Sequence, residues 1–122
     1  MLKKQNRLKT GYEFSKVRRF GGRFKSELFD LYYLEMNKTS NTQVGDISPI
    51  RFGIVISNKF SKSAVVRNRV RRVYREILRL NLDTIKNGFW VVIYPRLTSL
   101  AKGYVEINSE FNKVLSKIPL SR

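Results

Sequence analysis

The sequence predicts a small α+β fold, one β-sheet with helices packed on one of its faces. Three observations predict it. Residues 24–36 and 51–57 alternate apolar and polar side chains at strand period. Residues 89–94 form a short continuous apolar run. Two later stretches carry apolar residues at helical spacing. At 122 residues the chain has room for one core, and 1–122 reads as a single domain. Hydrophobic residues make up 42% of it, so even a chain this basic can fold.

Thr10 followed by Glu13 has capping-box spacing, which predicts a short helix with an apolar edge at Phe14 and Val17 and an end at Gly21-Gly22. Phe24 to Met36 reads as a long strand, which can break into two. Phe29, Leu31 and Tyr33 share one face of it, and Asp30, Tyr32 and Leu34 the other. Asn37 to Pro49 is polar and contains Gly and Pro, as a loop does. Arg51 to Ser57 is a second strand in which Phe52, Ile54 and Ile56 alternate. A basic helix runs from Ser61 to Leu82. Asn87-Gly88 is a turn signal, Phe89 to Tyr94 a buried strand, and Pro95 its stop. Tyr104, Ile107, Phe111, Val114, Leu115 and Ile118 then fall at helical spacing before Pro119. There is no internal repeat and no low-complexity segment.

Charge narrows the function. The formal net charge is +16, from 25 Lys and Arg against 9 acids. Such an excess repels itself in the folded state, solubility needs less, and its usual partner is a polyanion, most often nucleic acid. It is concentrated in two segments, residues 2–25 and 59–82. From Ser26 to Ile50, Glu27, Asp30, Glu35 and Asp46 face a single Lys38, so the two basic segments have to come together to make one patch. With no Cys and no His, disulfides, thiolate chemistry and histidine general bases are excluded. The acids form no paired cluster, so neither a protein-borne catalytic site nor a protein-made metal site is expected. The basic first residues are followed by no apolar run, and no stretch approaches the ~20 apolar residues of a membrane span. The expected location is cytoplasmic.

On a helical wheel, Val66, Val70, Val73, Tyr74 and Ile77 of the basic helix share one sector, with Asn68, Arg71, Arg72, Arg75 and Arg79 opposite and Arg67 and Arg69 flanking. The helix is therefore anchored by apolar residues and presents six arginines. A guanidinium fork bonds phosphate bidentately and stacks on bases, which suits RNA. A merely solvated helix face would interleave Glu with its cations. Instead Arg67, Arg71, Arg75 and Arg79 form a like-charge ladder at i,i+4, with Glu76 able to relieve only Arg72 or Arg79. Asn68 is a neutral donor and acceptor for a base edge or sugar. A membrane-surface helix is disfavoured because the apolar side is Val-rich and sized for a core.

The stretch from Ser63 to Glu76, with Arg67-Asn68-Arg69 followed by an aliphatic residue and two basic ones, resembles the signature of the bacterial ribonuclease P protein component. Leu2-Lys3-Lys4, Arg7-Leu8-Lys9 and Phe14, Gly22, Leu31-Tyr32, Arg51 to Lys59 and Phe89 to Tyr94 extend the likeness over nearly the whole chain. The resemblance implies a two-layer α/β sandwich with a central mixed sheet and about three helices, ribosomal protein S5 domain 2-like, with a left-handed βαβ crossover through the arginine helix. It also implies the role of protein subunit in an endoribonuclease, a ribonucleoprotein that removes the 5′ leader of precursor tRNA. The RNA subunit performs the hydrolysis, with Mg2+ held mainly by that RNA. The implied partners are ribonuclease P RNA and precursor tRNA, with no membrane and no protein partner.

Position by position, the resemblance implies RNA contacts at Lys59, Lys62, Arg67, Asn68, Arg69, Arg71, Arg72 and Arg75. It implies leader contacts at Phe14, Arg18 and Tyr32, in a cleft between the first helix and the sheet. Three departures stand out. Arg18 occupies a place where the family usually has a second aromatic, with Phe20 two residues beyond; Asn58 replaces a frequent basic residue; Tyr74 replaces a smaller aliphatic. Two other readings remain: a ribosome-associated structural RNA-binding protein, and a DNA-binding protein with the arginine helix in a major groove.

Overall fold

The structure is a computed structural model that describes residues 6–35, 50–56, 59–85 and 88–118. The Asn37–Pro49 loop, Asn58, Asn87 and Pro119 lie outside the described residues. The elements are α1 (Gly11–Phe20), β1 (Gly22–Lys25), β2 (Phe29–Glu35), β3 (Arg51–Ile54), α2 (Ala64–Leu80), β4 (Phe89–Pro95) and α3 (Tyr104–Lys117). The strands form one sheet in the order β1-β2-β4-β3. β2 pairs antiparallel with both β1 and β4, and β3 pairs parallel with β4, so the sheet is mixed. α2 is the crossover of the β3-α2-β4 unit.

The long strand expected over residues 24–36 is two. Ser26 N–H bonds the Phe29 carbonyl at 2.9 Å, the Ser26 hydroxyl accepts from Leu28 N–H at 3.2 Å, and the chain folds back as a hairpin. The second expected strand closes at Ile54 rather than Ser57, although Val55 N–H still reaches the Ile93 carbonyl at 2.9 Å. The basic helix begins at Ala64, not Ser61, because the Ser63 hydroxyl accepts from Val66 N–H and caps it. The Thr10–Glu13 capping box is present in both directions.

The larger core lies between the sheet and the pair α2 and α3. Phe29, Leu31, Phe52, Val91 and Ile93 of the sheet meet Val70, Tyr74 and Ile77 of α2 and Ile107, Phe111 and Val114 of α3. Each such side chain removed from water stabilises the fold by about 1.5–3 kcal/mol. Tyr74, the departure in the signature, sits edge-on to Phe29 with centroids 5.9 Å apart, and its hydroxyl bonds the Leu28 carbonyl at 3.2 Å. Asn81, at the end of α2, bonds back to the Ile77 carbonyl at 2.7 Å and across to Asn108 of α3 at 3.1 Å.

The expectation that helices cover one face is corrected. α1 packs on the opposite face, where Val17 and Phe14 join Leu8, Tyr32, Leu34, Val92, Trp90 and Tyr94. The physical reason is in β4: Phe89, Val91 and Ile93 point to one side and Trp90, Val92 and Tyr94 to the other, so both sides require cover. Two close approaches seat α1. A Cβ at Gly53 would overlap the Phe14 ring, and a Cβ at Gly21 would overlap the Tyr33 carbonyl. The outer edge of β3 is covered by residues 6–8, through Leu8 N–H to the Phe52 carbonyl at 2.9 Å and the Asn6 amide to the Ile50 carbonyl at 2.8 Å.

Candidate nucleic-acid interface

The chain presents cations on both sides of its sheet. On the α2 side, Asn68, Arg71, Arg72, Arg75 and Glu76 line an open groove of about 720 Å³. Val70, Tyr74, Ile77 and Leu78 are the buried anchor, so the arginines have no choice but to face out. The Arg71 guanidinium donates to the Asn68 side-chain oxygen at 3.0 Å, one turn back along the helix. Arg67 differs from its neighbours: its guanidinium donates to the Ser61 carbonyl at 2.7 Å and ties the incoming chain to the first turn. Arg79 is engaged by Glu76 at 3.1 Å through Nε, which settles which arginine the acid relieves. Arg69 and Arg72 are exposed, as are Lys59 and Lys62 just ahead of the helix.

On the α1 side the sheet offers aromatic rings, each with a guanidinium nearby. Registers place Arg23, Tyr32, Val92 and Gly53 in one cross-strand row, with Asp30 opposite Tyr94 and Arg51 opposite Trp90 in the rows on either side. Tyr32 and Tyr94 stand edge to face with centroids 5.4 Å apart. Arg18 lies 5.5 Å from the Tyr94 ring centre, Arg23 5.5 Å from that of Tyr32, and Arg51 6.0 Å from that of Trp90. Burial raises the Tyr94 phenol above its ordinary range, against the opposing pull of Arg18. Arg51 also pairs with Glu13 at 3.3 Å. Burial alone would raise the Glu13 carboxyl, but bonds from the Lys9 and Thr10 N–H groups and the charge of Arg51 outweigh it, and its pKa is lowered.

The two sides meet at the β3 edge. Arg7, Phe14, Gly53 and Arg75 line one small cavity there. Burial, then the nearby charges of Arg71 and Arg7, lower the Arg75 pKa. The basic segments therefore form two surfaces joined at an edge instead of the single patch that the charge distribution suggested.

Of the residues expected from sequence, Phe14, Arg18 and Tyr32 come together on the α1 side, and Arg69, Arg71, Arg72 and Arg75 on the α2 side. Phe20, two residues beyond Arg18, is 72% exposed. Sequence reasoning missed Trp90 and Tyr94. Their signal is the opposite parity of the β4 run, which a continuous apolar stretch makes read as core on both sides. It also missed Arg23 and Arg51, whose role depends on cross-strand register. Among the described residues, no group of three or more acidic side chains could hold a metal ion. The acid that faces this cleft from β2, Asp30, is engaged by Arg96 at 2.7 Å and Arg23 at 3.6 Å.

Fold and site together define a small cationic RNA-binding domain of α+β architecture, with an arginine helix on one side of its sheet and an aromatic cleft on the other. The chain belongs to the Ribonuclease P family, whose sequence profile matches residues 2–119. It is 37% identical over 116 residues to the ribonuclease P protein component of Clostridium kluyveri, covering 93% of this chain and 95% of that one. It is 34% identical over 117 residues to that of a Pseudanabaena species, covering 96% and 94%. The RNase P protein of Thermotoga maritima superposes with a TM-score of 0.75 at 25% identity, covering 92% and 96%. That of Staphylococcus aureus superposes with a TM-score of 0.79 over 96% and 98% of the two chains, at 22% identity.

Proposed function

We propose that this chain is the protein subunit of ribonuclease P, docking on the catalytic RNA through α2 and holding the 5′ leader of precursor tRNA between α1 and the sheet. One observation carries the reading: an arginine face and an aromatic face lie on opposite sides of one sheet and meet at the β3 edge. A folded RNA offers phosphates in fixed positions, which the exposed guanidiniums of α2 match. A single strand offers unpaired bases, which Tyr32, Tyr94 and Phe14 accept by stacking without strict sequence reading. The helix and the cleft thus serve two different RNAs, and a substrate strand can pass from one to the other past Arg7 and Arg75.

Hydrolysis falls to the RNA subunit. The chain has no histidine, and its described acids form no metal cluster. Asp30 is neutralised by Arg23 and Arg96. On this reading Mg2+ is held chiefly by the RNA phosphates. The chain lowers the need for it by supplying cations where substrate and catalytic RNA approach each other. The reading places the protein in the cytoplasm with its two RNA partners.

The test is reconstitution of precursor-tRNA cleavage at low Mg2+ with a bacterial ribonuclease P RNA. Stimulation is expected; none would leave the ribosome-associated structural reading. Comparing duplex DNA with structured RNA at equal, moderate salt tests the DNA-binding reading, and preference for the RNA is expected.

A further inference from the structure

We infer that the end of the sheet beside the last turn of α1 binds an alkylammonium group, held between aromatic rings and the Glu35 carboxylate, and that its ligand is the end of a linear polyamine. The site shares no residue with the cleft rings Phe14, Tyr32 and Tyr94, so the inference stands apart from the leader-binding reading.

Phe20, Tyr33, Phe89 and Glu35, with the Gly21-Gly22 backbone, line a cavity of about 140 Å³. The backbone fixes its walls. Gly21 N–H bonds the Val17 carbonyl at 2.9 Å and ends α1, and Phe20 projects from that end into solvent. A Cβ at Gly22 would overlap the Tyr33 ring, so the ring lies directly against the β1 backbone. Glu35 stands opposite Phe89 in the last pair of the β2–β4 register. Phe89 is buried and Tyr33 packs against the larger core, so two rings are held in place and the third is free to close over a guest.

The chemistry selects that guest. Glu13, Asp30, Glu76 and Glu106 each pair with an arginine or lysine, but Glu35 forms no ion pair among the described residues. A lone exposed carboxylate is ordinary; one at the mouth of an aromatic cavity is not. It repels a phosphate. It offers a divalent metal ion too few oxygens, and among the described residues no group of three or more acids stands ready to add them. An alkylammonium suits both features. Its charge meets the carboxylate and the ring faces, and its methylenes meet the apolar walls. The volume admits one ammonium and a few methylenes, so the other ammoniums of a polyamine stay in solvent, free to meet a phosphate of bound RNA. A net charge of +16 repels polycations elsewhere on the chain, so binding to the free protein requires a local site of this kind.

The experiment titrates the full chain, without RNA, with spermidine at fixed ionic strength, followed by calorimetry and by amide chemical shifts. Magnesium chloride is titrated in parallel. Saturable binding of one spermidine is expected, with shifts concentrated at Gly21, Gly22, Glu35 and Phe89 and no matching shifts from magnesium. Glu35→Gln is expected to weaken binding about fivefold, and Phe20→Leu, which keeps an apolar side chain but removes the ring, about threefold. Both positions are exposed, so melting temperatures should match wild type. Absence of saturable binding overturns the site. So do equal shifts with magnesium, shifts centred on Glu106 and Glu110 instead, or wild-type affinity in both variants.

Discussion

The ring of Phe14 rests on the Cα of Gly53, closer than any residue with a Cβ at that position would permit. Phe14 belongs to α1 and Gly53 to β3, a strand whose other face carries Phe52 into the core beneath α2. This contact sets how near α1 lies to the sheet, and so how wide the aromatic cleft is.

Gly53→Ala is accordingly expected to push Phe14 and α1 outward. Overpacking of this kind costs about 1–3 kcal/mol. Chemical denaturation reads the stability loss, and affinity for leader-bearing over mature tRNA reads the cleft. Combining Gly53→Ala with Phe14→Ala should recover part of the stability, because the second change removes the overlap. A double variant with purely additive losses would show that the contact is not the constraint.

Arginines on α2 should separate into two kinds. Arg72→Ala is expected to weaken binding to the catalytic RNA and to lower the slope of log K against log salt by about 0.7–0.9, without changing the melting temperature. Arg67→Ala should also destabilise the free protein by about 1 kcal/mol, because its guanidinium holds the Ser61 carbonyl. Salt titrations together with thermal melts of the free protein check both. An unchanged melting temperature for Arg67→Ala would remove its structural role.

Tyr74 predicts an alkaline limit. Burial pushes its phenol from 10.0 up to about 12, with the Ser99 hydroxyl opposing. The folded state thus holds the proton more tightly than the unfolded chain. The stability this represents is complete below pH 10 and is lost as pH rises towards 12, a fall of roughly 2–3 kcal/mol. Tyr74→Phe should lose about 1 kcal/mol at neutral pH from the bond to Leu28 and show a flatter alkaline limb. Denaturant midpoints between pH 8 and 12 decide it; parallel curves for the two proteins would count against it.

Glu13 predicts an effect of opposite sign at low pH. Its folded-state pKa lies below the ordinary 4.5, so its contribution is present above that value and declines as pH falls through the lowered one. The carboxylate holds the Lys9 and Thr10 N–H groups at 2.8 and 2.9 Å and pairs with Arg51. Glu13→Ala is expected to cost about 1 kcal/mol and to loosen α1. Leader affinity should then suffer more than binding to the catalytic RNA. Equal losses in both assays would mean that the α1 cap does not serve the cleft in particular.

Much of this molecule is legible in its sequence. The capping box at Thr10, the alternation of Phe29 to Leu34 and the division of α2 into valines and arginines are local patterns, fixed by spacing along one element. Charge, the absence of histidine and the stretch around Arg67-Asn68-Arg69 then narrowed the partner to RNA. Relations between elements were not legible. That α1 covers the second face, that Tyr94 lies beneath Arg18 and that Arg75 meets Arg7 at the β3 edge all depend on strand order and register. Periodicity tells which side of an element is apolar. Only the packed sheet decides which residues of different elements meet there, because those contacts join positions far apart in the chain and no local preference specifies them.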